Sequence, residues 1–207
     1  MWVEREKMEG PRDLGRGHGE GGKRPSSYEM NDPQVVFHEL GLREGITFLD
    51  IGCGAGDYSI RAATMVGPGG LVIALDRRRD ILDHVEERST FECLKNIMTI
   101  QADLTEELPI EDGSVDVCMI STVLHCIDLV EHGQAIFKEV NRVMRPGGRV
   151  VIIECGKDDL SFGPPLEMRI SPEEIDAQIG GSGLERDGDV VDLGFNYLVS
   201  YRPSGSP

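Results

Sequence analysis

The residues of this chain whose types and spacing best suit chemistry form a glycine loop after a short apolar segment. Residues 48–51 read Phe-Leu-Asp-Ile and are followed by Gly52, Gly54 and Gly56. Glycines at this spacing let a chain leave a strand, turn tightly and bring its N–H groups close to a ligand, because no Cβ stands in the way. The positive end of a following helix would add to this attraction. The pattern predicts a nucleotide-type ligand.

The acidic residue before the loop narrows the choice of ligand. Dinucleotide sites read G-x-G-x-x-G, whereas this chain reads G-x-G-x-G and continues with Asp57. Asp50 also argues against a pyrophosphate, since a fixed carboxylate would repel it. S-adenosylmethionine fits better, because it carries a sulfonium and an ammonium group, lacks phosphate and offers an adenosine to the rest of a groove. We therefore expect S-adenosylmethionine as the cofactor.

Further polar residues follow the next three predicted strands, at the sheet edge where open α/β sheets bind ligands. Asp76 lies 20 residues after Gly56, where an acid that grips a ribose diol is expected, although this feature alone fits NAD equally well. Asp103 could accept a hydrogen bond from an adenine amino group. Ser121 and His125 follow the fourth strand. His125 is the best-placed general base if a proton must leave the acceptor, and a purely structural role for its ring is the alternative.

The elements that must position these residues alternate short apolar runs with amphipathic segments, which predicts an α/β fold. Strands are expected at 47–51, 71–75, 97–102, 115–121, 149–154, 184–191 and 195–201. Helices are expected at 57–66, 79–91 and 132–144, with one more from Asp32 to Gly41 and another capped by Ser171. Turns are expected at 67–70 and 145–148. The near-continuous apolar runs predict a Rossmann-like, doubly wound, mostly parallel sheet of seven strands that ends in an antiparallel C-terminal hairpin.

Five segments, taken in order, resemble the motifs of class I S-adenosylmethionine-dependent methyltransferases. They are Leu-Asp-Ile-Gly-Cys-Gly-Ala-Gly at 49–56, Ala-Leu-Asp at 74–76, Gln-Ala-Asp at 101–103, Ser-Val-Asp-Val at 114–117 and Val-Met-Arg-Pro-Gly-Gly at 143–148. The similarity covers about residues 28–201 and is greatest to the branch with the ubiquinone and menaquinone methyltransferases. The resemblance implies that the glycine loop lies against the methionine portion of the cofactor, with Asp50 facing its ammonium group. It also implies that Asp76 holds the ribose and Asp103 the adenine.

The predicted cofactor site adds neighbours of these motifs on the loop, on the next helix and at the strand ends. It comprises Asp50, Gly52, Cys53, Gly54, Gly56, Tyr58, Asp76, Arg77, Ala102, Asp103, Leu104 and Ser121. His125 is the predicted catalytic residue. No metal site is expected, because the five cysteines contain no C-x-x-C pair. Phe162, Pro164, Pro165 and Met168 are expected to form an apolar wall over the acceptor.

Composition favours one intracellular domain preceded by a tail. The 207 residues carry a net charge of −16, but residues 1–27 hold six Lys/Arg and five Asp/Glu, so the remainder carries −17 and would repel nucleic acids. Residues 1–27 are rich in glycine and are expected to form a flexible tail, with the methyltransferase domain at 28–207. No apolar run reaches the roughly 20 residues that span a bilayer. An odd number of scattered cysteines fits a reducing cytoplasm.

The acceptor and the assembly are left open by the sequence. Only residues 156–170 are available as a lid, whereas quinone methyltransferases of the similar branch carry a long insertion there. A small-molecule acceptor and a protein-borne acceptor both fit. Closure of the site by the N-terminal tail, by a homodimer or by a partner subunit fits as well. A non-catalytic, cofactor-binding scaffold subunit is the main alternative function. An NAD-dependent oxidoreductase would share the glycine loop and Asp76, but Asp50 and Asp57 disfavour it.

Overall fold

The computed structural model describes residues 26–158, 161 and 163–205. Its strands are β1 (Thr47–Ile51), β2 (Leu71–Asp76), β3 (Ile97–Gln101), β4 (Val115–Ser121), β5 (Met144–Cys155), β6 (Leu184–Arg186), β7 (Val191–Asp192) and β8 (Asn196–Pro203). They form one sheet in the order β3-β2-β1-β4-β5-β8-β6. Strand β7 lies outside this order and pairs with β8. The predicted tail lies outside the described residues except for its last two.

The order of the strands makes the sheet doubly wound. The first five strands run parallel, and β1 and β4 lie side by side at its centre. From there the chain moves outward through β2 and β3 on one side and through β5 on the other, so the switch point lies between β1 and β4. Strand β8 runs antiparallel to β5 and β6. The predicted fold class is confirmed, with β7 as a short eighth strand.

Helices cover both faces of the sheet. They are α1 (Ser27–Met30), α2 (Pro33–Leu40), α3 (Asp57–Val66), α4 (Arg79–Phe91), α5 (Leu129–Val143) and α6 (Pro172–Ile179). Phe48 of β1 packs into the cluster with α2 and α3, whereas its neighbour Leu49 packs into the cluster with α5 and α6. Successive strand residues point to opposite faces, so both faces need apolar side chains. This explains why the central strands read as nearly continuous apolar runs.

Capping residues set the helix boundaries. The Asp32 side chain accepts the Gln34 N–H at 2.8 Å, and α2 ends at Gly41 in the left-handed conformation, as predicted. Ser171 caps α6, as predicted, and with Glu174 it forms a capping box. Helix α5 begins three residues earlier than expected, because the side chain of Asp128 accepts two N–H groups of its first turn.

Two predicted segments differ from the structure. The expected strand at 184–191 is divided into β6 and β7 by residues 187–190, where Gly188 has φ 94°. The expected turn at 145–148 lies inside β5, because Val115 pairs with Met144 and Val117 already pairs with Arg149. Residues 145–148 therefore bulge out of the β4–β5 ladder. A bulge of this kind cannot be told from a turn when only the Pro-Gly-Gly pattern is known.

Two remaining expectations concern membranes and disulfides. None of the helices in the described ranges is long and apolar enough to cross a membrane. All five cysteines lie within these ranges and are free, with Cys53, Cys118 and Cys155 buried and Cys93 and Cys126 exposed. The cytoplasmic location stays a prediction.

Candidate active site

The glycine loop between β1 and α3 has the backbone conformation that its sequence requires. Gly52, Gly54 and Gly56 have φ values of 70°, 51° and 78°. A Cβ at Gly52 would lie 2.3 Å from Cγ2 of Val123, and one at Gly56 would lie 2.8 Å from Cγ2 of Val85. Apart from its two chain neighbours, no atom of the described residues would lie closer than 4.0 Å to a Cβ at Gly54. Gly52 and Gly56 are therefore needed because Val123 and Val85 pack closely against the loop. Gly54 instead leaves open space where a ligand can approach.

Asp50 lies beneath this loop and not on its surface. The side chain is 2% exposed, and its Oδ2 accepts a hydrogen bond from Oγ of Ser59 at 2.5 Å. Burial raises the pKa of the Asp50 carboxyl group to about 7. A cation above the loop would favour the ionised form, so Asp50 can act on a cationic ligand through its charge.

A cavity of about 270 Å³ opens at the carboxyl ends of β1, β2, β3 and β4, and we name it the strand-end cavity. Six of the twelve predicted cofactor residues line it. They are Gly52, Asp76, Arg77, Ala102, Asp103 and Leu104. The acids from the ends of two separate strands thus meet in one cavity, as the strand-end pattern predicts.

The two acids of the strand-end cavity are held by short-range hydrogen bonds. Asp76 accepts the N–H of Gly54 at 3.3 Å on Oδ2 and the N–H of Arg78 at 3.0 Å on Oδ1. Asp103 accepts the N–H and the hydroxyl of Thr105 on Oδ1 at 2.9 and 2.8 Å. The bond from the Thr105 backbone is the main reason that the pKa of Asp103 is lowered. Oδ2 of Asp103 accepts no hydrogen bond from the described residues and is available to a ligand.

The other predicted cofactor residues lie behind or beside the strand-end cavity. Cys53 is buried, and burial raises the pKa of its thiol. The hydroxyl of Tyr58 accepts a hydrogen bond from Asn31 at 3.3 Å and donates one to the Ser27 carbonyl at 3.4 Å. The Ser121 hydroxyl donates to Oγ of Ser27 at 2.9 Å. Tyr58 and Ser121 are therefore bonded to the segment around α1.

Helix α1 packs across the loop side of the sheet and is not among the predicted helices. Oγ of Ser26 donates to Asp57 at 3.1 Å, and the Tyr28 ring packs edge-on against Tyr58 with centroids 5.0 Å apart. Asn31, just after α1, accepts a hydrogen bond from Asn196 of β8 at 2.8 Å. The Ser-x-x-Glu pattern that starts at Ser26 is a capping box and could have revealed this helix.

A second cavity, of about 510 Å³, lies beside the first, and we name it the wide pocket. It is lined by Ser27, Met30, Thr122, His125, Cys126, Cys155, Gly163, Pro164, Pro165, Met168, Phe195 and Asn196. Pro164, Pro165 and Met168 belong to the predicted apolar wall, and Phe162 lies outside the described residues. Thr122 and Cys126 line both cavities, so the two cavities meet at these residues.

Thr122 has a strained backbone at this junction. Its φ is 54°, a conformation that is rare for β-branched residues. The backbone is held there because the Thr122 N–H donates to the Ile153 carbonyl at 2.8 Å. Strain of this kind often marks a functional turn, since the surrounding structure must compensate its cost.

His125 follows this turn and is fixed by a buried carboxylate. Its Nδ1 lies 2.8 Å from Oε2 of Glu154, which is fully buried at the end of β5. Oε1 of Glu154 accepts the N–H of Leu124 at 2.7 Å and that of His125 at 3.4 Å. The neighbouring thiol of Cys126 and the carboxylate of Glu154 raise the pKa of His125 to about 10, and the imidazole in turn lowers the pKa of the Cys126 thiol.

The same region contains three groups of the types that bind metal ions. Ligand atoms of His125, Glu154 and Cys155 lie within 4.8 Å of one another. Both oxygens of Glu154, however, already accept hydrogen bonds or lie against the ring of His125. We therefore assign Glu154 to holding the imidazole, and the expectation of no metal site stays a prediction.

The short segment over the wide pocket is secured by one buried arginine. Arg169 is 3% exposed and donates to the carbonyl groups of Pro164 and Gly156 at 2.9 and 2.6 Å. Its guanidinium group lies 5.1 Å from the centre of the Phe195 ring. Tyr197 adds a hydrogen bond to the Ile170 carbonyl at 2.7 Å. The described residues at 163–170 are thus tied to β8 and to the residue before it.

The glycine loop, the strand-end acids and His125 all fall within a stretch of the chain that matches a known family. The sequence profile of that family, described as a methyltransferase domain, matches residues 42–179. The chain belongs to this methyltransferase family. Among relatives of the methyltransferase, the demethylmenaquinone methyltransferase of Staphylococcus aureus (strain JH9) is 34% identical over 125 residues, which are 60% of this chain and 49% of the relative. The chain spans about half the length of the curated relatives it matches.

Solved structures support the same class. A SAM-dependent methyltransferase from Aquifex aeolicus has a TM-score of 0.76 to this methyltransferase at 31% identity, over 86% of this chain and 92% of that one. The geranyl diphosphate C-methyltransferase of Streptomyces coelicolor A3(2) has a TM-score of 0.67 at 16% identity, over 82% and 78% of the two chains, and shows the fold alone. The predictions that the chain is a class I methyltransferase and that its cofactor is S-adenosylmethionine are confirmed.

Sequence patterns missed two residues of this site in the methyltransferase, and they missed the backbone strain at a third. Glu154 read as the end of an apolar strand, and its contact with His125 joins positions 29 residues apart. Cys126 is exposed and lines both cavities, and it belongs to none of the predicted motifs. No local pattern reveals the backbone strain at Thr122.

Proposed function

We propose that this methyltransferase transfers the methyl group of S-adenosylmethionine, by in-line displacement, to a compact small molecule in the wide pocket. The observation that carries the proposal is the junction of the two cavities at Thr122 and Cys126. One cavity presents the strand-end acids that suit the cofactor, and the other has room for an acceptor. In-line transfer needs donor and acceptor on either side of one such junction.

The residues at the strand-end cavity fit the cofactor. We assign Asp76 to the ribose hydroxyls, and Oδ2 of Asp103 to the adenine amino group. The open space at Gly54 suits the close approach of the methionine portion. Asp50 supplies negative charge from beneath the loop. When bound, S-adenosylmethionine supplies a methyl group already activated by the positive sulfur.

The role of the protein in such a reaction is to align the acceptor and to exclude water. Met30, Met168, Pro165 and Phe195 give the wide pocket apolar walls. The bonds of Arg169 hold the short lid in place over them. This arrangement favours a small acceptor over a large one that would need a long lid to cover it. It also favours a free molecule over a protein surface.

The charge of His125 indicates which acceptors suit the pocket. With a pKa of about 10, the ring carries a proton at neutral pH, because Cys126 and Glu154 both favour the charged form. A positive ring that lines the pocket favours an acceptor with an oxygen that is negative or becomes negative during transfer. The role of His125 as a general base stays a prediction, and it requires the ring to lose this proton first.

A labelling experiment tests the proposal. The purified protein is incubated with methyl-labelled S-adenosylmethionine and host lysate, and the products are separated into small-molecule and protein fractions. We expect the label in the small-molecule fraction. Label in the protein fraction would redirect the proposal to a protein-borne acceptor, and cofactor binding without labelled product would favour a scaffold subunit.

A matched pair of variants tests the assignment of the cofactor cavity. Asp76→Ala should weaken S-adenosylmethionine binding about tenfold or more in calorimetry, because hydrogen bonds to a charged acceptor are lost. Asp83→Ala, an exposed acid on α4, should leave the affinity unchanged. Unchanged affinity in a folded Asp76→Ala variant, or tight binding of NAD instead, would contradict the assignment. Closure of the site by a second copy or a partner stays a prediction, which sedimentation equilibrium can check.

A further inference from the structure

One arginine of α4 reaches the glycine loop from the side. Val85 and Arg88 are three residues apart, so their side chains lie on the same face of that helix. Val85 packs against Gly56. Nη1 of Arg88 donates to the Ala55 carbonyl at 2.5 Å and to Oδ1 of Asp57 at 2.8 Å. Helix α4 therefore contacts the middle of the loop and the first residue of α3.

The first half of the loop is held by strand β2. The N–H of Gly52 donates to the Leu75 carbonyl at 2.7 Å. The N–H of Gly54 donates to Asp76 at 3.3 Å. Glycine loses more conformational freedom than other residues when it is ordered, so a loop with three glycines needs such bonds to be preorganised for a ligand. Arg88 supplies a bond of this kind from the other side, through α4.

The charge of Arg88 opposes the electrostatic preference of the loop. Burial raises the pKa of Asp50, and the charges of Asp76 and Asp57 raise it further, so three acids lie close to one another here. These acids attract a cationic cofactor, whereas a guanidinium group repels it. The side chains of Arg88 and Asp57 are 28% and 27% exposed, so their ion pair is partly shielded from water. The position of Arg88 is therefore explained by what it holds, and not by attraction of the ligand.

We propose that Arg88 is a positioning residue for the cofactor, because it fixes the Ala55 carbonyl on the α4 side of the loop and so keeps Gly54 open towards the methionine portion. Asp57 orients the guanidinium group, since it accepts a hydrogen bond from the same Nη1. The other oxygen of Asp57 accepts a hydrogen bond from Ser26 at 3.1 Å, which fixes the carboxylate in turn. This inference rests on the proposed function, which assigns the loop to S-adenosylmethionine.

The first test uses a substitution for which position and charge predict opposite results. Arg88→Met keeps an apolar stem but removes the charge and the bond to Ala55. If Arg88 positions the loop, calorimetry should show about tenfold weaker binding of S-adenosylmethionine. If Arg88 acts through its charge alone, its removal should strengthen the binding of this cation. Unchanged or tighter binding in the variant, with circular dichroism confirming the fold, would overturn the proposal.

A second ligand and a control variant sharpen this test. S-adenosylhomocysteine has the same amino-acid portion as the cofactor but no positive sulfur, so a displaced loop should weaken the binding of both. A loss confined to one of the two ligands would overturn the proposal. Arg79→Met removes the same charge from the same helix, where Arg79 pairs with Asp83 and Glu86 on the surface. It should leave both affinities unchanged, and losses equal to those of Arg88→Met would contradict the assignment.

Hydrogen exchange followed by mass spectrometry tests the loop without a ligand. In Arg88→Met, amides in peptides that cover residues 52–58 should exchange about fivefold faster or more, while those of β4 keep their rates. Unchanged exchange in the loop, or equal acceleration in the loop and in β4, would count against a role in positioning. If Arg88→Met does not fold, Arg88→Lys is measured in the same way, because lysine keeps the charge but lacks the planar fork. The same outcomes decide.

The two proposals fail in different ways. If the unsubstituted protein binds neither S-adenosylmethionine nor S-adenosylhomocysteine, the assignment of the cofactor cavity is wrong, and the role of Arg88 is wrong with it. If the protein binds both and Arg88→Met binds them equally well, only the role of Arg88 is wrong.

Discussion

The carboxyl group of Asp50 shows how one residue can couple ligand binding to pH. It is buried beneath the glycine loop and bonded to Ser59, and its pKa is raised to about 7 by burial. Because the folded state holds this proton more tightly than the unfolded chain does, Asp50 makes the fold less stable as pH rises from 3.8 to about 7. A cation bound above the loop offsets that cost, since it favours the carboxylate.

The first prediction at the scale of the residue follows from this coupling. The affinity for S-adenosylmethionine should rise about tenfold between roughly pH 5.5 and 7.5, because binding releases the proton of Asp50. Calorimetry in buffers of different ionisation enthalpy measures both the affinity and the protons released. In Asp50→Asn the pH dependence should be nearly flat. An equal slope in the variant would show that another group is responsible.

The second residue-scale prediction concerns the open position of the glycine loop. Gly54→Val should weaken S-adenosylmethionine binding about tenfold or more, because the side chain fills the space that the backbone leaves for the ligand. Gly41→Val is the matched control, since Gly41 also has a positive φ and open space around it but lies at the end of α2. Both variants should lose similar stability in urea. Equal cofactor affinities in the two folded variants would contradict the assignment.

At this scale, the sequence showed the residues that share a local pattern, and it missed those that meet only in the fold. Asp76 and Asp103 could be found because strand ends in a parallel sheet meet at one edge. Glu154 could not be found, because its partner His125 follows β4, 29 residues earlier in the chain. The burial of Asp50 was likewise invisible, because a Leu-Asp-Ile sequence does not show whether the acid lies under or over the loop.

The turn after β4 is the element on which both cavities depend. Thr122 has φ 54° there and lines both, and His125 and Cys126 follow within four residues. A β-branched residue in this conformation costs about 1–3 kcal/mol, which the hydrogen bond to Ile153 and the packing of the turn offset. The element therefore stores strain where donor and acceptor would meet.

A glycine substitution at Thr122 tests whether the backbone strain of this turn contributes to methyl transfer. Thr122→Gly should leave the free energy of unfolding unchanged or raise it by up to about 1 kcal/mol, because glycine adopts a positive φ without strain. Methyl transfer should fall, because the turn is then less rigid. Cys93→Gly is the matched control, with φ 57° at a site away from both cavities, and it should keep full activity. Full activity in Thr122→Gly would show that the strain has no role in transfer.

Among the elements, regular periodicity was predictable and interruptions were not. Helices α3 and α4 start and end where the apolar period and the turns at their ends indicate. The bulge in β5 and the gap between β6 and β7 depend on pairing with distant strands, which no local pattern records. Helix α1 was missed because its four residues are too few for a period, although its capping box was visible.

The charge of the whole molecule bears on its partners. The only dense basic run, Arg77 to Arg79, is largely neutralised, because Arg78 pairs with Asp80 and Arg79 with Asp83. With a net charge of −16, the protein should not retain labelled RNA or DNA on a filter, even at low salt. Retention that disappears as salt is added would reveal a basic surface that these ion pairs do not suggest.

The place of β8 in the sheet has a consequence for the order of synthesis. It is the last strand of the described residues, yet it lies between β5 and β6 and pairs with both. While the ribosome completes the chain, the edges of β5 and β6 stay open and can pair with a neighbouring nascent chain. A release assay on stalled chains should find the fold incomplete until residue 203 has left the exit tunnel. The exposed strand edges that favour aggregation are therefore covered only when β8 has joined the sheet.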